Sequence, residues 1–197
     1  MLPRAVLFDM DGVLVKSEEV WFKVCEAAGV RFRGRALTRE EFFPTFGQGT
    51  AADIPVFGFA CTVQELDAFY VTEFVRHLDA MWVNPEARPL LDQLAGQGVK
   101  LALVTNTVSP LAVQILARAR LDGVFTSLAT ADRVTNAKPS PELVQLACRE
   151  LRVQPDEAWM VGDSRFDRQA AQSAGVFFIG LGLDGDRRIE RLADLSS

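Results

Sequence analysis

Cysteine and histidine are scarce in this 197-residue sequence, and their placement excludes several kinds of site. The three cysteines, Cys25, Cys61 and Cys148, lie far apart and form no Cys-x-x-Cys pair, which argues against a zinc site or a disulfide framework. We expect them to be reduced, buried side chains. The single histidine, His77, lies within a helical pattern, and we assign it no catalytic role.

Long apolar runs are also absent. No segment approaches the roughly 18 consecutive apolar residues of a membrane-spanning helix, and the N-terminal segment Met-Leu-Pro-Arg lacks an apolar signal. We therefore expect a cytoplasmic protein with no membrane partner. The net charge of −5 argues against a nucleic-acid partner. Hydrophobic residues make up 49% of the chain, which predicts an ordered globular fold, and no feature indicates its oligomeric state.

An apolar run from Ala5 to Phe8 has the length and composition of a buried strand. It ends in Asp9 and Asp11, which alternation along an extended chain places on the same side. The next residue, Gly12, lets the backbone turn sharply and approach a ligand closely. Two carboxylates at the tip of a buried strand favour a divalent cation, and one of them can then act as a nucleophile. The same residues are also typical of a plain surface turn, so this motif alone leaves both interpretations open.

Strands and helices alternate along the second half of the chain. Four segments there have strand character: 100–106, 127–130, 159–161 and 176–181. This alternation predicts an α/β fold with a doubly wound, Rossmann-like parallel sheet. Residues 17–80 show helical patterns and no convincing strand. We therefore expect them to form a helical insert that interrupts a core of residues 1–16 and 81–197.

Helix boundaries are predicted from capping residues. Thr38 and Thr62 each begin a capping box, so helices are expected to start near 39 and 63. Ser17 is placed to cap the first helix and Gly29 to end it. The segment after Gly185 is predicted to be a short helix.

Ligands of open parallel sheets bind at the carboxyl ends of the strands. The residues that the sequence places there are mostly acids: Asp9, Asp11, Thr105, Asn106, Lys138, Asp163 and Asp167. Mg²⁺ takes hard oxygen ligands, and the oxygens of a transferring phosphoryl group need donors and positive charge. This combination therefore suits magnesium-assisted phosphoryl transfer.

Four segments, in order, resemble the motifs of the haloacid dehalogenase (HAD) superfamily: Phe8-Asp-Met-Asp-Gly-Val-Leu14, Val104-Thr105-Asn106, Lys138-Pro139 and Gly162-Asp-Ser-Arg-Phe-Asp167. The later segment Ala170-Ala-Gln-Ser-Ala-Gly175 is similar to the stretch that follows the fourth motif in the small-phosphatase branch. The resemblance spans residues 5–16 and 85–182. It implies a phosphatase of the phosphoglycolate phosphatase and β-phosphoglucomutase-like branch, acting on a small phosphorylated metabolite, with residues 17–80 as a helical cap.

The resemblance implies a catalytic role for each motif. Asp9 would attack phosphorus and form an aspartyl phosphate. Asp11 would protonate the leaving oxygen and later deprotonate the attacking water. Thr105 and the backbone of Asn106 would bind the phosphoryl group, and Lys138 would neutralise its charge and hold the nucleophile in place.

The resemblance also implies Mg²⁺ as the cofactor. The ion would lie on Asp9, on the backbone carbonyl of Asp11 and on Asp163. Asp167 would hold the ligands of the ion, or Lys138, in place without binding the ion itself. A carboxylate is, however, also favoured in the first turn of any helix. Gly12 would contribute to phosphate binding through its backbone.

The turn Phe46-Gly-Gln-Gly-Thr50 resembles the glycine-containing specificity loop of phosphoglycolate phosphatases. Backbone N–H groups around Gly47, Gln48 and Gly49 would crowd a small anion, and Thr50 would add a hydroxyl. The arginines at 31, 33, 35 and 39 form the one local basic cluster, which is typical of a solvated face and alternatively supplies charge for a second anionic group. These features favour an acidic ester such as 2-phosphoglycolate, although the glycines fit a plain turn between cap helices equally well.

Two other functions stay open. A β-phosphoglucomutase-like phosphosugar mutase has the same core motifs. A non-catalytic HAD-like protein would bind a partner, although the intact set of acids argues against it. A dehalogenase is disfavoured because that branch lacks the second acid, here Asp11.

The chain departs from its relatives after the first motif. Relatives commonly carry Asp-Ser there, whereas this chain has Lys16-Ser17. We therefore expect its cap closure and its substrate to differ from those of the relatives.

Overall fold

The computed structural model of the protein describes residues 2–196, with side chains from 2 to 195. Its strands are β1 (Ala5–Phe8), β2 (Val15–Lys16), β3 (Trp82–Val83), β4 (Lys100–Thr105), β5 (Ser127–Thr130), β6 (Ala158–Gly162), β7 (Phe177–Leu181) and β8 (Arg187–Ile189). Six of them form one sheet in the order β5-β4-β1-β6-β7-β8, and every neighbouring pair is parallel. The predicted α/β fold with a doubly wound parallel sheet is confirmed.

The α-helices are α1 (Glu18–Arg33), α2 (Arg39–Phe42), α3 (Thr50–Phe57), α4 (Val63–Val75), α5 (Ala87–Gly96), α6 (Ser109–Arg118), α7 (Glu142–Leu151) and α8 (Arg165–Ala174). Short 3₁₀-helices lie at Phe43–Thr45, Leu78–Ala80, Ala131–Arg133, Pro155–Glu157 and Leu192–Ser196. None of the helices in the described part of the chain is long and apolar enough to cross a membrane.

The sheet is covered on both faces. Helices α5 and α6 pack against one face, and α7 and α8 pack against the other. Along β1 the side chains alternate between the two cores, with Val6 and Phe8 in the first and Ala5 and Leu7 in the second. All four side chains are fully buried. This double burial explains why β1 is an uninterrupted apolar run, since a strand covered on both faces needs no polar side.

Strand β1 lies at the topological switch point. The chain goes from β1 to β4 and β5 on one side, and then crosses to β6, β7 and β8 on the other. The register pairs Phe8 with Leu103 of β4 and with Val161 of β6. The residues that follow these three strands therefore meet at one edge of the sheet, where ligands of such folds bind.

A two-stranded antiparallel ribbon marks where the chain leaves the sheet and returns. Val15 pairs with Val83, and Lys16 pairs with Trp82, with the Lys16 ammonium 5.1 Å from the centre of the Trp82 ring. Between these strands the chain forms α1, α2, α3 and α4, and residues 17–81 contain no strand. Helices α2 and α4 begin as predicted, because Thr38 and Thr62 both form complete capping boxes.

Other element boundaries differ from the sequence prediction. Helix α1 does not stop at Gly29 but continues to Gly34, whose φ of 77° forms the left-handed C-cap. Gly29 serves packing instead, since a Cβ there would lie 2.6 Å from the carbonyl oxygen of Arg35. Helix α3 was not predicted and forms despite Pro55 in its interior. After Gly185 the chain forms β8 before its short 3₁₀-helix.

Candidate functional site

Asp9 follows directly on β1 and carries the first carboxylate of the site. Its N–H donates to the carbonyl oxygen of Val161 at 2.9 Å, so its backbone still belongs to the sheet. Its side chain is 9% exposed, and Oδ1 accepts a hydrogen bond from Nζ of Lys138 at 2.6 Å. The other oxygen, Oδ2, has no hydrogen-bond partner among residues 2–195. One oxygen of Asp9 is thus held and the other is available to a ligand.

Lys138 is a buried ammonium surrounded by three oxygens. Nζ donates to Oδ1 of Asp9 and Oδ1 of Asp167, both at 2.6 Å, and to the carbonyl oxygen of Val104 at 3.1 Å. Burial by itself lowers the pKa of Lys138, but the charges of Asp167 and Asp9 outweigh it and hold that pKa above its ordinary value. All three ammonium hydrogens are engaged, so the lysine is fixed in orientation and stays charged.

A cluster of carboxyl groups lies beside this lysine. Asp9, Asp163 and Asp167 each offer one oxygen, and these oxygens lie within 4.8 Å of one another. Burial, followed by the nearby charge of Asp167, raises the pKa of Asp163 to about 7. The same two causes raise the pKa of Asp9 well above its ordinary range. The cluster has three carboxyl groups and one ammonium, so its negative charge is not fully balanced. A divalent cation would stabilise such a group of carboxylates.

Asp167 has both of the roles that the sequence allowed, as a first-turn helix carboxylate and as a partner of Lys138. It lies in the first turn of α8 and forms a capping box, in which Oδ2 accepts from the Ser164 hydroxyl at 2.5 Å and from its N–H at 3.1 Å. Its other oxygen accepts from Lys138. Gly162 makes this packing possible, because a Cβ there would lie 2.4 Å from Cβ of Asp167. Both oxygens of Asp167 are therefore already occupied by protein donors.

Asp11 has its own set of donors, and the sequence reasoning missed them. Oδ1 accepts from the Ser17 hydroxyl and from Nε1 of Trp21 at 3.3 Å, and Oδ2 accepts from Oγ1 of Thr107 at 3.2 Å. Ser17 occupies the N-cap position of α1 as predicted, but its hydroxyl makes no capping hydrogen bond and donates to Asp11 instead. Burial raises the pKa of Asp11, although the hydrogen bonds from Ser17 and Trp21 oppose the shift.

Thr105 is the last residue of β4, and Asn106 follows it at the same edge of the sheet. Thr105 is 1% exposed, and its Oγ1 accepts from the N–H of Thr107 at 3.1 Å. The Asn106 side chain donates to the carbonyl oxygens of Gly47 and Lys138, both at 2.9 Å, and accepts from the N–H of Lys138 at 2.8 Å. This one side chain thus links the core loops to the turn at 46–50.

A cavity of about 600 Å³, counting the part that opens to solvent, lies between the helical insert and the loop after β4. It brings the four turn residues Gly47, Gln48, Gly49 and Thr50 to the same space as Asp11. Gly47 and Gly49 have φ of 91° and 89°, which side chains other than glycine rarely adopt. The turn is therefore a tightly bent wall of the cavity.

The arginines of the insert do not supply charge to this cavity. Arg33 and Arg35 form ion pairs with Glu41 at 2.7 and 2.8 Å, and Arg39 pairs with Glu19. Arg31 lies over the ring of its neighbour in α1. None of these four lines the cavity. The expectation that they bind a second anionic group is wrong, because acids of the insert itself already pair with three of them.

The chain matches the sequence model of a known family. The family model for haloacid dehalogenase-like hydrolases matches residues 6–181. The chain belongs to the haloacid dehalogenase-like hydrolase family. A curated relative from Thermotoga maritima, named phosphorylated carbohydrates phosphatase, is 30% identical over 178 residues, which cover 88% of this chain and 82% of the relative. The protein is accordingly an enzyme, a HAD-like phosphatase.

Solved structures of the HAD-like family agree with the fold. CbbY from Rhodobacter sphaeroides, in complex with phosphate, superposes with a TM-score of 0.86 at 25% identity and covers 98% of this chain and 96% of that chain. β-Phosphoglucomutase from Clostridium difficile has a TM-score of 0.85 at 18% identity, covering 99% and 93%. At that identity the second likeness shows the shared fold alone.

Proposed function

We propose that this HAD-like phosphatase hydrolyses small phosphoesters through an aspartyl phosphate formed on Asp9. The observation that carries the proposal is the state of that carboxylate. Lys138 holds one oxygen at 2.6 Å, and the other has no hydrogen-bond partner among the described side chains and backbone. A nucleophile needs a free oxygen in a fixed orientation. Lys138 provides the orientation and places positive charge beside the attacked phosphoryl group.

Asp11 is suited to protonate the leaving oxygen and then to activate water. Its carboxylate lines the cavity and is oriented by Ser17, Trp21 and Thr107. Burial raises its pKa, which makes the protonated form accessible closer to neutral pH. The leaving alcohol takes this proton as the bond to phosphorus breaks. Asp11 then removes a proton from the water that attacks the aspartyl phosphate, and inorganic phosphate leaves.

The phosphoryl group would be bound by groups at the strand ends. Because Oγ1 of Thr105 accepts from Thr107, its hydroxyl hydrogen stays available to donate to a phosphoryl oxygen. The Asn106 side chain is engaged with Gly47 and Lys138, so its backbone is the part left for the ligand. The backbone of Gly12 would complete the phosphate-binding turn.

The acidic cluster fits a magnesium ion, because its donors are hard carboxylate oxygens with excess negative charge. We propose that Asp9, Asp163 and the backbone carbonyl of Asp11 hold the ion. Asp167 would support them from behind, since both of its oxygens already accept hydrogen bonds. When bound, Mg²⁺ neutralises the carboxylates and polarises the phosphoryl oxygens.

Excess chelator is expected to abolish phosphate release from a generic ester such as para-nitrophenyl phosphate. Added Mg²⁺ should restore the rate, and Ca²⁺ should not, because calcium takes more ligands at longer distances and spoils the in-line geometry. The measurement is steady-state release with each ion in turn. Full activity in excess chelator would contradict the metal assignment, and no release under any condition would contradict the phosphatase function.

Replacing Gly12 by alanine is expected to raise the Mg²⁺ concentration for half-maximal activity at least tenfold, as is typical when the support of a metal ligand is lost. The added Cβ would lie 1.9 Å from Oδ2 of Asp163 and displace that carboxylate. Gly34→Ala is the matched control: its φ of 77° gives similar backbone strain, of about 1–2 kcal/mol, with nothing within 4 Å of the Cβ. Equal Mg²⁺ concentrations for half-maximal activity in the two variants would show that Asp163 does not bind the metal ion.

Two candidate substrates come from different arguments. The glycine turn favoured 2-phosphoglycolate, and the turn does line the cavity. The Thermotoga maritima relative is named for phosphorylated carbohydrates, and the cavity offers aromatic walls with a few polar groups, as small-molecule sites commonly do. A phosphosugar mutase would transfer the phosphoryl group back to the sugar instead of to water. Conversion of β-glucose 1-phosphate to the 6-phosphate would identify that alternative.

We propose that the helices between β2 and β3, residues 17–80, act as a cap that excludes water and selects the substrate. The hydrogen bond from Asn106 to the carbonyl oxygen of Gly47 joins this segment to the core at the mouth of the site. Trp21 of α1 also reaches Asp11. Movement of the cap would therefore change the environment of the acid–base residue directly.

A further inference from the structure

The cavity beside Asp11 has an acidic lining with no opposing cation. Its charged lining residues are Asp11, Asp53 and Asp67, and within residues 2–195 no lysine or arginine lines it. Six of the remaining lining residues are aromatic or aliphatic: Trp21, Phe42, Phe46, Phe57, Val108 and Leu111. A second anionic group on a ligand would lose its hydration here and gain no compensating charge.

Asp53 is fixed in the cavity wall by a chain of hydrogen bonds. Oδ1 accepts from Nε2 of Gln48 at 2.8 Å, and Oδ2 accepts from the buried hydroxyl of Tyr70 at 2.9 Å. The thiol of Cys25 donates to the Tyr70 oxygen at 3.5 Å. These groups come from the 46–50 turn, α3, α4 and α1. Since the turn and α4 each donate a hydrogen bond to it, and Tyr70 of α4 is itself bound by α1, the Asp53 carboxylate cannot turn freely out to solvent.

The fixed carboxylate still has capacity for a ligand. Burial raises the pKa of Asp53 to about 6, although the bonds from Gln48 and Tyr70 oppose the shift, so the group is ionised above neutral pH. A carboxylate can accept about four hydrogen bonds, and the protein supplies two. Asp53 therefore presents both negative charge and unused acceptor positions to the cavity.

We propose that Asp53 determines specificity: it accepts hydrogen bonds from hydroxyl or ammonium groups of the leaving alcohol and rejects leaving groups that carry a second anion. The inference rests on the phosphatase function proposed above and gives its substrate class, phosphoesters of polyols or amino alcohols. It opposes 2-phosphoglycolate, whose leaving alcohol, glycolate, carries a carboxylate. Like charges placed together in a partly buried site repel strongly enough to exclude such a ligand.

A matched pair of esters tests this selection. Glycerol 3-phosphate and 3-phosphoglycerate differ only in that a hydroxymethyl group of the first is a carboxylate in the second. With Mg²⁺ at about pH 7.5, above both the raised pKa of Asp53 and the ordinary pKa of a carboxyl group, we expect kcat/KM for glycerol 3-phosphate to be at least tenfold higher. A second pair, phosphoethanolamine and 2-phosphoglycolate, should show the same preference. Equal values, or a preference for the anionic member of the pairs, would overturn the inference.

The variant Asp53→Asn assigns the selection to this residue. It keeps the side chain's shape and removes its charge, so the ratio of the two kcat/KM values should fall at least tenfold, chiefly through a lower KM for 3-phosphoglycerate. Asp156→Asn, an exposed aspartate outside the cavity, should leave the ratio unchanged. An unchanged ratio in Asp53→Asn would show that this carboxylate does not select the substrate.

A binding measurement separates failure of the inference from failure of the proposed function. Calorimetry with Mg²⁺ and the Asp9→Asn variant, which is expected not to turn over, reports affinity for both esters of the pair. At least tenfold tighter binding of glycerol 3-phosphate supports the selection even if no ester is hydrolysed. Equal or tighter binding of 3-phosphoglycerate overturns it. Absence of phosphate release from para-nitrophenyl phosphate, in contrast, counts against the phosphatase function alone.

Discussion

Replacing Asp9 by asparagine is expected to lower kcat by about 10⁴-fold or more, as is typical when a covalent nucleophile is removed. The fold should persist, because asparagine keeps the shape of the side chain. Lys138 also retains its bonds to Asp167 and to the carbonyl oxygen of Val104, so its charge stays compensated. Steady-state phosphate release with saturating Mg²⁺ gives the rate, and circular dichroism with a thermal melt checks the fold.

The control for this experiment is again Asp156→Asn, which makes the same chemical change on the exposed 3₁₀-helix Pro155–Glu157 and should keep full activity. Mass spectrometry of the Asp9→Asn protein should verify that the asparagine has not deamidated back to aspartate. A folded Asp9→Asn protein with a rate within tenfold of the parent would rule out the covalent mechanism.

Replacing Asp11 by asparagine is expected to lower kcat by about 10²–10⁴-fold, the usual contribution of a general acid and base, and to trap the intermediate. Para-nitrophenolate leaves without needing a proton, so Asp9 should still be phosphorylated by para-nitrophenyl phosphate. Without a base at position 11, water attacks the aspartyl phosphate slowly. Rapid quenching followed by intact-mass measurement should therefore show protein that carries one phosphoryl group.

Asp9→Asn protein, treated in the same way, should carry no phosphoryl group. Slow hydrolysis by Asp11→Asn without a trapped phosphoryl group would mean that Asp11 acts before or during attack on phosphorus and not in the release of the intermediate. The assignment of the water-activating role to Asp11 would then fail, while the nucleophile assignment would remain open to its own test.

The position of the site could be predicted because it depends on a few apolar runs. β1, β4 and β6 are strongly apolar, and parallel strands necessarily end at one edge. The residues at their ends or directly after them, such as Asp9, Thr105 and Asp163, therefore come close together. The structure brings them there, with Lys138 beside them.

The contacts that depend on tertiary geometry could not be predicted. Local spacing predicts Ser17 as a helix cap, and Ser17 does occupy the N-cap position of α1. Its hydroxyl, however, donates to Asp11, a contact that local spacing does not indicate. Arg33 and Arg35 both form ion pairs with Glu41. These pairs depend on how α1 packs against α2, which the sequence does not show. Gly29 has no local signal that separates close packing from a helix end.

The acidic lining of the cavity also could not be predicted from the sequence. Asp53 and Asp67 belong to two different helices, and no motif marks either of them. Their common orientation toward the cavity follows from the packing of α3 against α4 and from Gln48 on the preceding turn. The resemblance to a family identifies the core motifs, whereas the insert residues that line the cavity are identified only by how the helices of the insert pack.

The ribbon of β2 and β3 brings the two ends of the insert side by side, since Lys16 pairs with Trp82 at a strand spacing of about 4.8 Å. For the sheet, the insert is therefore a loop whose two ends are already held together. Closing a loop twice as long costs only about 0.6 kcal/mol more. A longer or shorter segment between β2 and β3 therefore changes the free energy of folding of the sheet little, as long as Lys16 and Trp82 still pair.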